Sequence, residues 1–297
     1  MTSHQFRGIG VAMVTPFLDN GDIDFASLER LIQHVIAGNA DYLVMLGTTG
    51  EASTMSREER FSILDFTVQA NSGRLPIIAG FSGNDTQAVV NDITAYHFNG
   101  IAGVLSVNPH YSRPNQEGIF QHYRRIAQYC PVPIMLYNVP SRTGSNIKAE
   151  TTLRIAREIP NVMAIKEASG DMAQCAEIIR LKERKDFLVL SGDDFLSLPL
   201  IALGADGVVS VAGNAYPDKF ANLTHTALNG DFEAARHLHH QLTEFIQLIF
   251  ADGNPAGIKA ALSIMNICRN TLRLPLVPVN NEVYQKIDLN IKMNKFI

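Results

Sequence analysis

Short apolar runs rich in β-branched residues recur through most of the chain and predict buried β-strands. There are eight such runs: Ile9–Val14, Tyr42–Leu46, Ile77–Ala79, Val104–Val107, Ile134–Tyr137, Val162–Ile165, Phe187–Leu190 and Val208–Val211. The segments between them place apolar residues at helical spacing, as at Phe25, Leu28, Leu31, Ile32 and Val35. Strands that alternate with helices favour parallel pairing through right-handed crossovers.

Eight strand–helix units are typical of a closed (β/α)8 TIM barrel, an α/β fold of roughly 250 residues. An open, doubly wound sheet is the alternative fold. That fold usually carries a glycine-rich nucleotide fingerprint after its first strand, and neither GxGxxG nor GxxxxGK[ST] stands there. We therefore expect the barrel.

The strand pattern fades beyond residue 224, and the remainder of the chain is predicted to be helical. The apolar spacing indicates three helices, over Phe232–Ile249, Ile258–Met265 and Glu282–Asn294. We expect a barrel over residues 1–224 and a C-terminal helical domain over residues 225–297, packed on the barrel or on a neighbouring subunit.

Composition narrows the functional classes. The 297 residues are 46% hydrophobic and 18% charged, which provides for a large core. The formal net charge is −4 and no basic run occurs, so nucleic acid is not an expected partner. No apolar stretch of about 18 residues runs without a charge, glycine or proline, so no membrane contact is expected. Three widely spaced cysteines without a CxxC pair suit a reducing compartment, and we expect a cytoplasmic protein.

The carboxyl ends of the strands are where a (β/α)8 barrel builds its site. The sixth strand, Val162–Ile165, runs directly into Lys166. An ammonium is costly to bury, and desolvation at the end of a strand favours the free amine that attacks carbonyl carbon. Lys166 is therefore the leading candidate for a Schiff-base lysine. A strand-end lysine whose head group reaches solvent is the alternative.

Two other strand ends carry groups suited to anionic substrates. After strand two, Gly47-Thr48-Thr49-Gly50-Glu51 offers a tight turn with N–H and hydroxyl donors, a candidate carboxylate cradle before a helix that starts near Ser56. Strand five ends in Tyr137, whose phenol can pass protons, and Arg142 follows as a fork for a second carboxylate. Ordinary capping at the turn, a rim aromatic at Tyr137 and a solvated charge at Arg142 remain alternatives.

Two further loops bring polar groups to the same end of the barrel. The loop after strand four carries Tyr111, a second phenol. After strand seven, Asp193 and Asp194 stand in a Ser-Gly-Asp-Asp run, for which helix capping is the favoured interpretation.

A histidine cluster lies on the first helix of the C-terminal part, at His237, His239 and His240. No acidic residue or further histidine nearby completes a ligand set, so the cluster is interpreted as a solvated helix surface. Neither a metal ion nor another cofactor is expected.

Five motifs and the Tyr111 loop follow one another on the predicted strands. The motifs are GTTGE (47–51), YNVPSRTG (137–144), IKEASG (165–170), SGDD (191–194) and GVVSVAGN (207–214). In this order they resemble the lysine-dependent pyruvate aldolases, the N-acetylneuraminate lyase superfamily, and within it the 4-hydroxy-tetrahydrodipicolinate synthase (dihydrodipicolinate synthase) family. The similarity covers nearly the whole chain, including Asn254-Pro255, Lys259 and Thr271–Pro275.

The resemblance implies a condensation of pyruvate with L-aspartate 4-semialdehyde, in lysine and diaminopimelate biosynthesis, through an imine on Lys166. It also implies a proton relay formed by Thr48, Tyr137 and Tyr111. The Tyr111 phenol would reach in from a partner subunit, so that the chain would form a dimer or a dimer of dimers.

The resemblance further implies how the two substrates are bound. The backbone N–H of Thr49 would hold the carboxylate of pyruvate, and Arg142 would hold the carboxylate of the semialdehyde. Main-chain groups of Gly192 and Val209 would line the pocket.

The resemblance also implies where an inhibitor would bind. Relatives that lysine inhibits carry a pocket lined by a carboxylate, histidines and a tyrosine, and this chain differs from them at those positions. Ala88 takes the carboxylate position, Arg57 and Arg60 the histidine positions, and His110 the tyrosine position, while Asn84 is kept. Alanine accepts no hydrogen bond from an ammonium, and two arginines repel it. We expect weak or no inhibition by L-lysine; half-inhibition at micromolar L-lysine in a steady-state assay would refute this.

Two other functions remain open at this stage. A sister aldolase, such as N-acetylneuraminate lyase or a 2-keto-3-deoxy sugar acid aldolase, would share Lys166 and Tyr137 but take polyhydroxylated substrates. Arg142 and Tyr111 favour the smaller, anionic semialdehyde. A non-catalytic keto-acid sensor would need no proton path, so the intact Thr48 and the two tyrosines argue against it.

Overall fold

The computed structural model describes residues 3–293 and contains a closed barrel of eight parallel strands, which pair in chain order. The strands are β1 (Gly8–Ala12), β2 (Tyr42–Met45), β3 (Ile77–Gly80), β4 (Gly103–Val107), β5 (Ile134–Asn138), β6 (Val162–Glu167), β7 (Leu188–Ser191) and β8 (Gly207–Ser210). All eight predicted strands are confirmed. Because β8 pairs with β1 and closes the sheet, the open-sheet alternative is wrong.

Helices cover the outside of the barrel. Within residues 3–293 the α-helices are α1 (Phe25–Ala37), α2 (Arg57–Asn71), α3 (Thr86–Ala95), α4 (Gln116–Ala127), α5 (Pro140–Thr143), α6 (Ala149–Glu158), α7 (Met172–Leu181), α8 (Ser197–Ala202), α9 (Pro217–Leu228), α10 (Phe232–Phe250), α11 (Ala256–Ile264) and α12 (Asn281–Met293). Single turns of 3-10 helix lie at Ser3–Phe6, Ala52–Thr54 and Ala212–Asn214. None of these helices is long and apolar enough to cross a membrane.

The three helices predicted for the C-terminal part correspond to α10, α11 and α12. Asn294, the last residue of the predicted third helix, lies outside the described residues. The predicted domain boundary at residue 224 falls inside α9, so the division into a barrel and a helical domain stays a prediction.

The interior of the barrel is filled from alternate strand positions. In β2, Tyr42 and Val44 belong to the inner cluster, whereas Leu43 and Met45 belong to the apolar layer between strands and helices. The inner cluster also contains Phe6, Ala12, Ile78, Leu105, Met135, Tyr137, Ala164, Leu188, Leu190 and Val209. A packed interior leaves only the ends of the barrel for a site.

The histidines of α10 do not all lie at the surface. His237 and His240 are exposed, as predicted, but His239 is buried. It follows Ala235 by four residues and so continues the buried stripe of the helix, where its ring meets the edge of Phe195 at 5.6 Å between centroids. The interpretation as a solvated surface is therefore wrong for His239.

Candidate active site

Lys166 lies on the inner face of β6, one residue before the end of the strand, and is 5% exposed. Ala164, two residues earlier, belongs to the barrel interior, so strand alternation points Lys166 inward as well. Tyr137 on β5 is its register partner, and the Nζ of Lys166 lies 4.2 Å from the centroid of the Tyr137 ring. The predicted Schiff-base lysine and the predicted proton-transfer tyrosine are neighbours. A head group this buried does not fit the alternative of a solvated strand-end lysine.

Gly192 leaves room for the lysine side chain. A Cβ at this position would lie 2.9 Å from the Cε of Lys166 and 2.7 Å from the Cβ of Ala168. The N–H of Gly192 donates to the backbone oxygen of Glu167 at 2.6 Å, which fixes the glycine against the end of β6. The structure thus gives a steric reason for a glycine at this position. This reason is separate from the main-chain lining that the resemblance implies.

The GTTGE turn follows β2 at the rim of a cavity. Thr48 lines this cavity, whereas Thr49 is buried and its Oγ1 accepts a hydrogen bond from Asn254 Nδ2 at 3.0 Å. The N–H groups of Gly50 and Glu51 donate to carbonyls within the turn at 3.1 Å each. A carboxylate cradle here therefore depends on the N–H groups of Thr48 and Thr49 and on the Thr48 hydroxyl.

The helix after this turn does not belong to the cradle. Its N-cap, Ser56, forms a capping box in which the Oγ of Ser56 accepts from the N–H of Glu59 at 3.2 Å and Glu59 Oε2 accepts from the N–H of Ser56 at 2.9 Å. Glu59 is also paired with Arg273 at 2.5 Å. The start of α2 is thus occupied by its own caps, as the capping alternative has it, so a carboxylate cradle would be confined to the turn itself.

Arg142 stands in α5, a single helical turn that begins with a proline after β5 and ends at a glycine with a φ of +69°. Its side chain is exposed and lines the same cavity as Thr48 and Tyr137. Its Nη2 donates to the backbone oxygen of Asn254 at 3.5 Å. The guanidinium and the GTTGE turn therefore belong to different loops of one rim, as two separate carboxylate anchors require.

The cavity has a volume of about 390 Å³, a size suited to small organic ligands. The ends of β2 to β5 and the loops after them form most of its wall. The C-terminal segment contributes Asn254, Pro275 and Leu276. Lys166, Gly192 and Val209 are not among its lining residues, and Val209 is buried in the barrel interior. Tyr137 belongs to both the cavity wall and the interior cluster, and so connects the cavity with the barrel interior.

Tyr111 does not join the site of its own chain. It is 88% exposed, has a φ of +67° and does not line the cavity, although its neighbour His110 does. Its N–H donates to the backbone oxygen of Thr143 at 3.2 Å, which ties the loop after β4 to α5. The Tyr111 residue thus lies at the surface and outside the cavity of its own chain.

Asp193 and Asp194 differ, although capping was predicted for both. Oδ1 of Asp193 accepts from the backbone N–H groups of Phe195 and Leu196 at 2.8 and 3.3 Å, so it stabilises the turn that precedes α8. The N-cap of α8 itself is Leu196, which has no side-chain capping hydrogen bond. Asp194 is buried, and its Oδ2 accepts from the N–H groups of Val211 and Ala212 at 3.0 and 2.7 Å. The capping prediction is wrong for Asp194, which instead joins the ends of β7 and β8. Burial raises the pKa of its carboxyl group to about 6.

Glu167, directly after the lysine, was not predicted as a site residue. It is buried and accepts hydrogen bonds from Asn138 Nδ2 at 2.6 Å, Ser169 Oγ at 2.6 Å and Gln174 Nε2 at 3.1 Å. Burial raises the pKa of its carboxyl group, and these hydrogen bonds oppose the shift. Because Asn138 directly follows Tyr137 on β5, this network ties the ends of β5 and β6 together. Asn138 and Glu167 each directly follow a predicted site residue, Tyr137 or Lys166, and this shared position was a signal in the sequence.

Two residues of the C-terminal part, which the resemblance includes but gives no role, also contact the GTTGE turn. Asn254 contacts Thr49, and Lys259 forms an ion pair with Glu51. The partners are 205 and 208 residues apart in the chain, so no local motif connects them.

The positions related to the inhibitor pocket lie on α2, α3 and the loop after β4. Arg57 and Arg60 both pair with Asp92, at 2.6 and 2.7 Å. Ala88 is exposed, and Arg60 and His110 line the cavity. One carboxylate between two guanidinium groups leaves excess positive charge, which still disfavours an ammonium ligand. Weak inhibition by L-lysine stays a prediction.

A closed (β/α)8 barrel with a buried, inward-facing lysine on β6, a tyrosine beside it and anion-binding groups at its rim has the arrangement of the lysine-dependent aldolase barrels. The sequence model of the Dihydrodipicolinate synthetase family matches residues 5–294. The chain belongs to this family.

Individual relatives are similar to this chain along almost its full length. The 4-hydroxy-tetrahydrodipicolinate synthase of Parabacteroides distasonis is 48% identical over 287 residues, 97% of this chain and 96% of the relative. The one of Porphyromonas gingivalis is 49% identical over 282 residues, 95% of each chain. Among solved structures, the dihydrodipicolinate synthase of Thermotoga maritima is 37% identical, covers 99% of this chain and 100% of its own, and superposes with a TM-score of 0.96. A monomeric dihydrodipicolinate synthase variant has the same TM-score at 36% identity over 99% of both chains.

Proposed function

We propose that this chain condenses pyruvate with L-aspartate 4-semialdehyde to give 4-hydroxy-tetrahydrodipicolinate, in diaminopimelate and lysine biosynthesis. Membership of the family and the names of the full-length relatives support the reaction. The observation that carries the proposal is the buried amine of Lys166, 4.2 Å from the ring centroid of Tyr137, beside a cavity that also holds Arg142.

Imine formation is the first step. The Nζ of Lys166 attacks the keto carbon of pyruvate, and the carbinolamine loses water to give a protonated imine. Tyr137 and Thr48, both in the cavity wall, relay the protons that leave the amine and that convert the keto oxygen into water.

Carbon–carbon bond formation follows. The protonated imine withdraws electrons, so the methyl group of bound pyruvate loses a proton and an enamine forms. The enamine carbon attacks the aldehyde carbon, and the aldehyde oxygen takes up a proton to become a hydroxyl group. The amino group of the semialdehyde then attacks the imine carbon, which closes the ring and releases Lys166 as a free amine.

Two anchors orient the substrates in this proposal. The N–H groups of Thr48 and Thr49 hold the carboxylate of pyruvate, and Arg142 holds the carboxylate of the semialdehyde. Gly192 leaves space for the lysine, and main-chain groups of Gly192 and Val209 border the imine.

Tyr111 completes the proton relay from a partner subunit. Its exposure of 88% and its place outside its own cavity support a role in another copy of the chain. The active form is accordingly a dimer or a dimer of dimers. We place it in the cytoplasm, since its three cysteines are buried free thiols.

Turnover of alternative substrates tests the function. We expect kcat/KM for pyruvate plus the semialdehyde to exceed that for cleavage of N-acetylneuraminate or a 2-keto-3-deoxy sugar acid by at least about 100-fold, because Arg142 has no second carboxylate of this size to bind in the sugar acids. Lys166→Ala is the matched control and should lack activity with every substrate.

Each other result has a distinct meaning. Faster cleavage of a sugar acid would indicate a sister aldolase. Binding of pyruvate without turnover of any aldehyde would indicate a keto-acid sensor. Either result would contradict the proposed function.

A further inference from the structure

A fully buried ion pair joins the GTTGE turn to the C-terminal helices. The side chains of Glu51 and Lys259 are both 0% exposed, and the Nζ of Lys259 donates to Glu51 Oε1. Lys259 also donates to the backbone oxygen of Thr271 at 2.8 Å and lies 4.2 Å from the centroid of the Phe17 ring. Neither side chain exposes surface to solvent, so each charge depends on the other and on these contacts.

A pair of this kind is not explained by stability alone. Two charges lose their hydration on burial, and well-packed apolar residues of similar size often stabilise a protein as much or more. Removing only one partner is strongly unfavourable, because the other charge stays buried without a counter-charge. Such a pair therefore fixes the relative position of the two segments that carry it more than it contributes to net stability.

The segment that this pair fixes is the candidate pyruvate cradle. Glu51 follows Thr48 and Thr49 in one tight turn and has a left-handed φ of +56°. Its second carboxylate oxygen accepts from the N–H of Arg273 at 3.1 Å. The turn cannot move outward without separating the carboxylate of Glu51 from both of its C-terminal partners.

A second contact from the same part of the chain reaches both anchors. Asn254 Nδ2 donates to Oγ1 of Thr49 at 3.0 Å, and the backbone oxygen of Asn254 accepts from Arg142 Nη2 at 3.5 Å. The C-terminal part thus contacts the turn at two points, Thr49 and Glu51, on either side of Gly50.

We propose that Glu51 and Lys259 are positioning residues for the pyruvate carboxylate. The ion pair holds the GTTGE turn so that the N–H groups of Thr48 and Thr49 face the carboxylate of the keto acid, although neither charged side chain touches it. The C-terminal helices are then part of the active-site construction. This inference rests on the proposed function, because it takes pyruvate as the first substrate.

Lys182 offers a matched control at the other end of the barrel. Its Nζ also binds one carboxylate, Asp206 Oδ2 at 3.2 Å, and one backbone oxygen, that of Phe187 at 2.8 Å. Both partners precede strands, β7 and β8, so this pair lies at the amino ends of the strands, away from the cavity.

The experiment compares Lys259→Met, Glu51→Gln and Lys182→Met with the wild-type protein. For each variant, borohydride trapping of the Lys166 imine is measured against pyruvate concentration, together with the melting temperature and the KM for each substrate. We expect Lys259→Met and Glu51→Gln to raise the pyruvate concentration for half-maximal trapping by about tenfold or more, because small displacements of binding groups have effects of this size. The KM for the semialdehyde should change much less.

Lys182→Met should lower the melting temperature but leave half-maximal trapping within about twofold of wild type. Glu51→Gln preserves side-chain shape, so it tests the inference even if Lys259→Met does not fold. Suppose that the wild-type protein forms the imine and that Glu51→Gln folds but needs the same pyruvate concentration for half-maximal trapping. That result would overturn this inference and leave the proposed function standing. Absence of trapping in the wild-type protein would overturn the proposed function and this inference with it.

Discussion

At the scale of single residues, the space around the lysine matters as much as its chemistry. Lys166 extends along the inner face of β6, and the missing side chain of Gly192 leaves room for its stem. Gly47, at the rim of the neighbouring cavity, has a different environment, because a Cβ there would meet nothing closer than 3.9 Å. Two glycines of one site are therefore expected to respond differently to the same substitution.

Gly192→Ala should reduce imine formation strongly, since the new methyl group would lie 2.9 Å from the Cε of Lys166 and must displace it. Gly47→Ala should leave imine formation within about threefold of wild type. Borohydride trapping with pyruvate, followed by intact-protein mass, measures both. Equal trapping in the two variants would contradict the steric role of Gly192.

The sequence allowed prediction of the residues that directly follow strands. Lys166, Tyr137 and Arg142 could be placed because the ends of parallel strands meet at one end of a barrel. Asp194 was misinterpreted, since an aspartate after Ser-Gly suits a helix cap equally well, and its true partners follow β8. Lys259 could not be assigned, because its partner Glu51 is 208 residues away.

At the scale of elements, the packing of α3 on α4 buries a titratable ring. His122 of α4 is 4% exposed, and its Nδ1 lies 2.8 Å from Oγ1 of Thr86, the first residue of α3. Burial lowers the pKa of His122 from 6.5 to about 4. Above pH 6.5 the ring is neutral in the folded and the unfolded chain, so folding carries no proton-linked cost. As the pH falls from 6.5 towards 4, only the unfolded chain takes up the proton, and stability is lost.

His122→Gln should therefore flatten the acid side of the stability profile. As the pH falls from 7 to 4, the free energy of unfolding of the variant should gain up to about 3 kcal/mol on that of the wild type. A pKa difference of roughly 2.5 units corresponds to a free energy of this size. Urea denaturation at a series of pH values measures this difference. His237→Gln, on the exposed face of α10, is the control. If the free energy of unfolding depended on pH in the same way in His122→Gln and in the wild type, His122 would not titrate in this way.

The elements themselves were predicted well, because their signals are periodic and local. Every strand of the barrel and the three C-terminal helices correspond to apolar patterns in the sequence. His239 was placed wrongly because the polar character of one residue was given more weight than its position in the stripe of α10. Capping of α2 stayed one of two alternatives for the turn, although Ser56 and Glu59 stand at the spacing of a capping box. The pairing of Glu59 with Arg273 could not be predicted, because the two residues lie far apart in the chain.

At the scale of the whole molecule, the proposed proton relay would be incomplete within one chain. Thr48 and Tyr137 line the cavity, but Tyr111 is not among its lining residues and is 88% exposed. In a twofold dimer the same loop of each subunit can supply the site of the other. The proposed function therefore predicts that two defective chains can complement each other.

Co-expression of Tyr111→Phe with Lys166→Ala tests this. Half of randomly formed dimers are hybrids, and each hybrid has one complete site, so about a quarter of wild-type activity should appear. Activity equal to the mean of the two separate variants would contradict a phenol supplied in trans.

The central claim is a covalent bond between Lys166 and a keto acid, and borohydride reduction tests it most directly. The protein is treated with borohydride in the presence and in the absence of pyruvate, digested, and analysed by peptide mass. A stable mass gain on the peptide that contains residue 166, dependent on pyruvate and absent from Lys166→Ala, is the predicted result. An unmodified peptide, or a gain on another lysine, would contradict the account.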